Sequence, residues 1–160
     1  MQFYLDHYSI YQLNESGKNF KPIDIVNDMG WDEFSEIILK MYQGGGQMTV
    51  FLGEPVYTEE PYVEFREIDH YTISEKFIFD CDIKHGYLLD HRIYDDGECI
   101  EYFWLENSSV VDPNETFVFS QYEDEWEAKR INRDINIALK IFKELYDNNQ
   151  LSEDIKMLFK

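Results

Sequence analysis

Lysine and arginine are scarce in this chain, 14 of 160 residues against 33 aspartates and glutamates, which leaves a formal net charge of −19. That balance excludes most direct binding to DNA, RNA or an anionic bilayer, because phosphate affinity comes from cationic side chains that release counterions. Cysteine is scarcer still, with Cys81 and Cys99 alone. No stretch approaches the ~20 apolar residues that cross a membrane as a helix. The opening Met-Gln-Phe-Tyr-Leu-Asp has neither a basic region nor an apolar run of the kind that directs secretion. The expectation is a soluble protein of the reducing cytoplasm, with both cysteines as buried thiols.

Catalytic motifs are missing as well. There is no Gly-x-Ser-x-Gly elbow and no His-Glu-x-x-His. Gly44-Gly45-Gly46 lacks the Lys-Ser/Thr ending of a phosphate loop and follows a helical pattern, where a helix cap explains it. Cys81 or Cys99 with His85 or His91 would make a thiolate–imidazole pair, but both cysteines fall inside predicted strands, where a thiol is usually a small core residue. The densest group is Asp80-Cys81-Asp82-Ile83-Lys84-His85. Asp80 and Asp82 share a strand face and, with His85, are the candidate metal ligands. Lys84 in the same register and the lack of EF-hand spacing favour a solvated acidic strand edge instead. No cofactor is expected, and the reading is not an enzyme.

What is present is material for a core. Hydrophobic residues make up 44% and aromatics 17%, in a length typical of one domain spanning residues 1–160. Gln2 to Tyr11 reads as a strand, followed by a turn at Asn14, Ser16 and Gly17. Asp32 is positioned to cap a helix to about Gln43, with Phe34, Ile37, Ile38 and Met41 at helical spacing. From Gln47 to Leu105 the pattern is β, with segments at 48–52, 62–68, 71–82, 87–94 and 99–105. Asp95-Asp96-Gly97 marks a tight hairpin turn. Tyr102 and Trp104 share one face of the following strand, and Phe103 and Leu105 the other, which suggests an interior strand or one covered by helices. Ala128, Ile131, Ile135, Ala138, Phe142 and Leu145 predict a C-terminal helix, Asn148-Asn149 a stop, and Ser152 to Phe159 a last short helix. The whole predicts an α+β fold: an antiparallel sheet of five or six strands with helices packed on one face.

The negative charge is concentrated. Residues 51–126 hold 20 acids and 4 bases, whereas residues 127–160 hold 6 acids and 7 bases. Such a surplus steers a basic partner and speeds encounter. Aromatics lie among the acids, as in Tyr57-Thr58-Glu59-Glu60 and Tyr122-Glu123-Asp124-Glu125-Trp126. Any one acid is ordinarily a solvated strand face. As a set, Glu59, Glu60, Glu64, Glu67, Asp95, Asp96, Glu98, Glu123, Asp124 and Glu125 are the candidate contact surface, with Tyr57, Tyr122 and Trp126 as anchors.

The short first strand, the early helix ending at Gly44-Gly45-Gly46, the acidic sheet with its Tyr87–Leu105 hairpin and the C-terminal helix together resemble the immunity proteins of bacterial toxin–immunity systems, including contact-dependent growth inhibition. The resemblance implies a cytoplasmic protein that binds a cognate toxin domain, often a basic nuclease, and covers its substrate cleft. The alternatives are a nucleic-acid mimic that inhibits a DNA-processing enzyme, with carboxylates in two rows, or a small metal-binding protein using Asp80, Asp82 and His85.

Overall fold

A computed structural model describes residues 1–55, 71–120 and 123–160, with 18–21 and 71 by their backbone. Six strands form one antiparallel sheet: β1 (Gln2–Ile10), β2 (Glu15–Asp24), β3 (Gly46–Pro55), β4 (Tyr71–Asp82), β5 (Gly86–Asp95) and β6 (Glu98–Trp104). Their order is β2-β1-β3-β4-β5-β6. A short separate hairpin, β7 (Thr116–Val118) and β8 (Glu125–Glu127), precedes the C-terminal helices. The fold is therefore α+β with an antiparallel sheet, as the patterning predicts.

Two helices of 14 residues, α1 (Trp31–Gly44) and α2 (Ile135–Asn148), cover one sheet face, and the short α3 (Glu153–Lys156) extends that layer. Their apolar positions recur at three and four residues: Phe34, Ile37, Ile38 and Met41 in α1, and Ala138, Ile141, Phe142 and Leu145 in α2. These meet the inward residues of alternating strands, such as Phe3 and Leu5, Met48 and Val50, Phe77 and Phe79, and Tyr87 and Leu89. Phe34 and Phe79 both set their rings edge-on to Phe142, at centroid distances of 5.8 and 5.6 Å. Edge-to-face packing of this kind adds to simple area burial and fixes helix position.

Glycine serves the passage from α1 to β3 in two ways. Gly45 adopts φ +72°, which closes the helix. Gly46 lies so near β1 that a Cβ there would stand 2.2 Å from the Ser9 carbonyl oxygen. At the β5–β6 turn, Asp96 and Gly97 both take positive φ, the geometry that the Asp-Gly pair predicts.

Several expectations change. α1 is capped by Gly30, and Asp32 sits in its first turn. The turn lies at 11–14, so only Asn14 of the expected turn residues is in it; Ser16 and Gly17 belong to a strand, β2, that the residue pattern does not assign. β6 is an edge strand and not an interior one, with Phe103 packed against the helix-covered core; its last residue, Trp104, exchanges backbone hydrogen bonds with Lys160 near the C-terminus. Cys81 is buried as expected, but Cys99 is exposed. Helix α2 begins only at Ile135, because Asn132 exchanges both backbone hydrogen bonds with Tyr87 and gives its side-chain amide to the Leu105 carbonyl. The expected strand at 62–68 lies outside the described residues.

Candidate functional site

The sheet's second face carries no helix among the described residues. Strand alternation and register place Lys76, Ile78 and Asp80 of β4 there, beside Leu88, Asp90 and Arg92 of β5, and Tyr102 and Trp104 of β6. The β7–β8 hairpin lies over part of this face. Its attachment is a small cluster of Leu88, Phe119 and Ile131, with Phe117 and Trp126 packed against it. The Ser120 N–H donates to Asp82 Oδ1 at 2.7 Å and pins the end of β7 to the end of β4.

Arg130, in the 3-10 turn after β8, reaches back to this face. It donates to Asp90 Oδ1 at 3.0 Å. Its guanidinium lies 4.9 Å from the Trp126 ring centre and 5.2 Å from that of Trp104. Tyr102 donates to the other Asp90 oxygen at 3.0 Å. Burial and the neighbouring Asp90 charge raise the Tyr102 hydroxyl above its ordinary value, in spite of Arg130. A cation held between carboxylate and indole faces is strongly placed when partly desolvated.

Beside this cage lies a cavity of about 340 Å³, lined by Gln47, Ile78, Asp80, Leu88, Asp90, Arg92, Asp124 and Trp126. The carboxylates around it have different circumstances. Asp82, just outside, accepts from the N–H groups of Lys84, His85 and Ser120. Burial alone would raise its carboxyl, but the Ser120 and Lys84 donors outweigh that and hold it below the ordinary value. Asp90 has Arg130 and Tyr102. The Asp80 carboxyl group has no hydrogen bond or ion pair among the described residues. Burial, and then the charges of Asp124, Asp90 and Asp82, push it up to about 6.

The predicted contact residues divide into three sets. Tyr57, Glu59, Glu60, Glu64, Glu67 and Tyr122 lie outside the described residues. Asp95, Asp96 and Glu98 stand exposed at the β5–β6 turn, and Glu123, Asp124 and Glu125 stand exposed on the second hairpin. These two groups are not brought together. They are about 17 Å apart along β5, from the Asp90 level to Asp95, and Lys76, Arg92 and Arg130 lie between. Trp126 is half-buried against Arg130, so its ring face is already engaged within the chain.

The metal-ligand reading gains no support from the geometry. Asp82 spends its oxygens on backbone N–H groups, and His85 packs on Phe117 at 4.9 Å. Among the described residues no three His, Cys, Asp or Glu side chains converge as a metal would need. No helix among them is long and apolar enough to cross a membrane.

Sequence reasoning missed Arg130, Asp90 and Trp104 as parts of one site. The order of residues shows the same-face placement of Asp80 with Asp82 and of Tyr102 with Trp104, but not that Arg130 and Asp90 join them. No protein-family model, curated protein or solved structure matches the chain.

Proposed function

We propose that the chain is an inhibitory binding protein of the immunity type, which acts in the cytoplasm by docking on a basic toxin domain and covering its substrate cleft. One observation carries the reading. Asp95, Asp96, Glu98, Glu101, Glu123 and Asp124 are all exposed, and none has an ion-pair partner among the described residues. Charges left without partners at two hairpins are available to a cationic surface, where they steer encounter and select the partner. The two groups are separated by cations, which suits a partner touched at two places. Among the described residues the same interruption argues against a nucleic-acid mimic, which needs carboxylates in two rows.

Expression of this chain together with the products of the genes beside its own tests the proposal. One of those products is expected to arrest growth alone, to be neutralised by this chain, and to bind it less tightly as salt rises. Asp95→Lys with Asp96→Lys, and separately Glu123→Lys with Asp124→Lys, should each weaken binding by about ten-fold or more. Neighbouring products that neither arrest growth nor bind would overturn it.

A further inference from the structure

We propose that the cavity between the 106–117 segment and the start of α2 is a binding site for a guanidinium or ammonium group carried on an apolar stem. The inference does not depend on a toxin partner. The cavity has a volume of about 510 Å³, within the range that takes a small organic ligand. Its walls are tied on both sides. The Asn107 N–H donates to the Lys129 carbonyl at 2.6 Å, and Asn107 Nδ2 donates to the Ile131 carbonyl at 2.8 Å. On the other side the Ala128 N–H donates to the Glu115 carbonyl at 2.9 Å. A space framed by such bonds is formed before any ligand arrives, so binding need not order its walls.

The lining selects the chemistry. Ile131, Ile137 and the Phe117 ring supply apolar wall, and Asn132 borders the same space at only 4% exposure. Asn132 Nδ2 donates to the Leu105 carbonyl at 2.9 Å and to that of Arg130 at 3.4 Å, which fixes the orientation of the amide. Its Oδ1 accepts nothing from the described residues and is not sealed from solvent, so it opens to the cavity. An acceptor so placed is satisfied by a donor from a ligand. Glu106 and Glu115 line the cavity too, and neither carboxylate has an ion pair or hydrogen bond among the described residues. Arg133 is the single cation in the lining, with its guanidinium 5.7 Å from the Phe117 ring centre. The positive end of α2 is offset by Asp134, which accepts from the Asn136 N–H at 3.0 Å. Two carboxylates and an amide oxygen thus face one cation across apolar carbon. A ligand that carries positive charge and only donates suits that set, and an anion does not.

Titration of the full chain followed by NMR tests this, with butylguanidinium as the probe beside its neutral counterpart butylurea and the anion butyrate. Butylguanidinium should bind saturably and move the side-chain amide resonances of Asn132. Butylurea should bind about ten-fold more weakly or worse, and butyrate should leave those resonances in place. Lengthening the stem from methyl to butyl should tighten binding, by up to about four-fold for each methylene. Glu106→Gln with Glu115→Gln should weaken it about ten-fold. Arg133→Ala removes the competing cation and should tighten it about three-fold, whereas an anion site would lose its ligand. A Gly-Arg-Gly peptide blocked at both ends separates the two sources of such a group. Binding at least as tight as that of butylguanidinium assigns the site to a side chain of another protein, and weaker binding assigns it to a free amine. An Asn132 amide that no cationic probe moves would overturn the proposal. So would butylurea binding as tightly as butylguanidinium, or weaker binding of the cation by Arg133→Ala.

Discussion

Arg130 and Asp90 meet at 3.0 Å across 40 positions of sequence, and this contact ties the turn after β8 to the middle of β5. Both side chains are mostly covered, at 16% and 13% exposure. Removing one partner of such a pair leaves an uncompensated charge in a poor solvent for it. Arg130→Ala is expected to cost about 3 kcal/mol in urea unfolding. The double variant Arg130→Met with Asp90→Leu should cost clearly less than the two single losses added, because neither charge is then stranded.

Asp80 gives a prediction of opposite sign. Its carboxyl lies at about 6 in the fold against an ordinary 3.8. Between those values the native state holds more protons than the unfolded chain, so its contribution is full below 3.8 and is lost as pH rises through 6. At 1.36 kcal/mol per pH unit the interval amounts to about 3 kcal/mol as an upper figure. Asp80→Asn should therefore stabilise the protein at pH 7.5 by up to that amount, and make little difference at pH 4. Denaturant midpoints at the two pH values check it, and a destabilised variant at pH 7.5 would refute the assignment.

Asp82 behaves in the reverse sense. Its carboxyl is held below the ordinary value by N–H donors, so its contribution is present above 3.8 and disappears as pH falls through its folded value. Asp82→Ala leaves three backbone donors without their acceptor and releases Ser120 from β4. A loss of about 2–3 kcal/mol is expected at neutral pH, with a smaller loss for Asp82→Asn, which retains an acceptor oxygen. Thermal unfolding of the two variants side by side measures the difference.

Two glycines separate close approach from backbone angle. At Gly46 a methyl group would meet the Ser9 backbone at 2.2 Å, and β1 cannot retreat without breaking its ladder to β3. At Gly97, φ is +81° and the space is open. Gly97→Ala should cost about 1 kcal/mol for the left-handed angle, and Gly46→Ala considerably more. Equal costs in chemical denaturation would contradict this placement of β1 against β3.

The parts of this fold legible in sequence are those whose period is local. The apolar spacing of Phe34 to Met41 gives α1, the alternation at Phe77, Phe79 and Cys81 gives β4, and Asp96-Gly97 gives the β5–β6 turn. β2 escapes because it is an edge strand in which Gly17, Lys18, Lys21 and Pro22 interrupt any alternation. The premature start assigned to α2 has a different cause. Ala128, Ile131 and Ile135 continue its spacing, but Asn132 is recruited by Tyr87 and Leu105, and long-range bonds override the local period. The site is harder still, since Asp90, Trp104 and Arg130 converge only through strand register. The exposed acids at Asp95, Asp96 and Glu98 needed no such knowledge, because a polar turn between two strands is outward by construction.

The contrast between the two thiols has a practical consequence. Cys81 is sealed in the core, and burial together with Asp80 and Asp82 keeps its thiol well above the ordinary value, whereas Cys99 is open to solvent next to Glu98. A maleimide dye added to the untouched protein will therefore mark a single position, one residue from the acidic turn at 95–98. A fluorophore placed there reports on arrivals at that turn without any engineered cysteine.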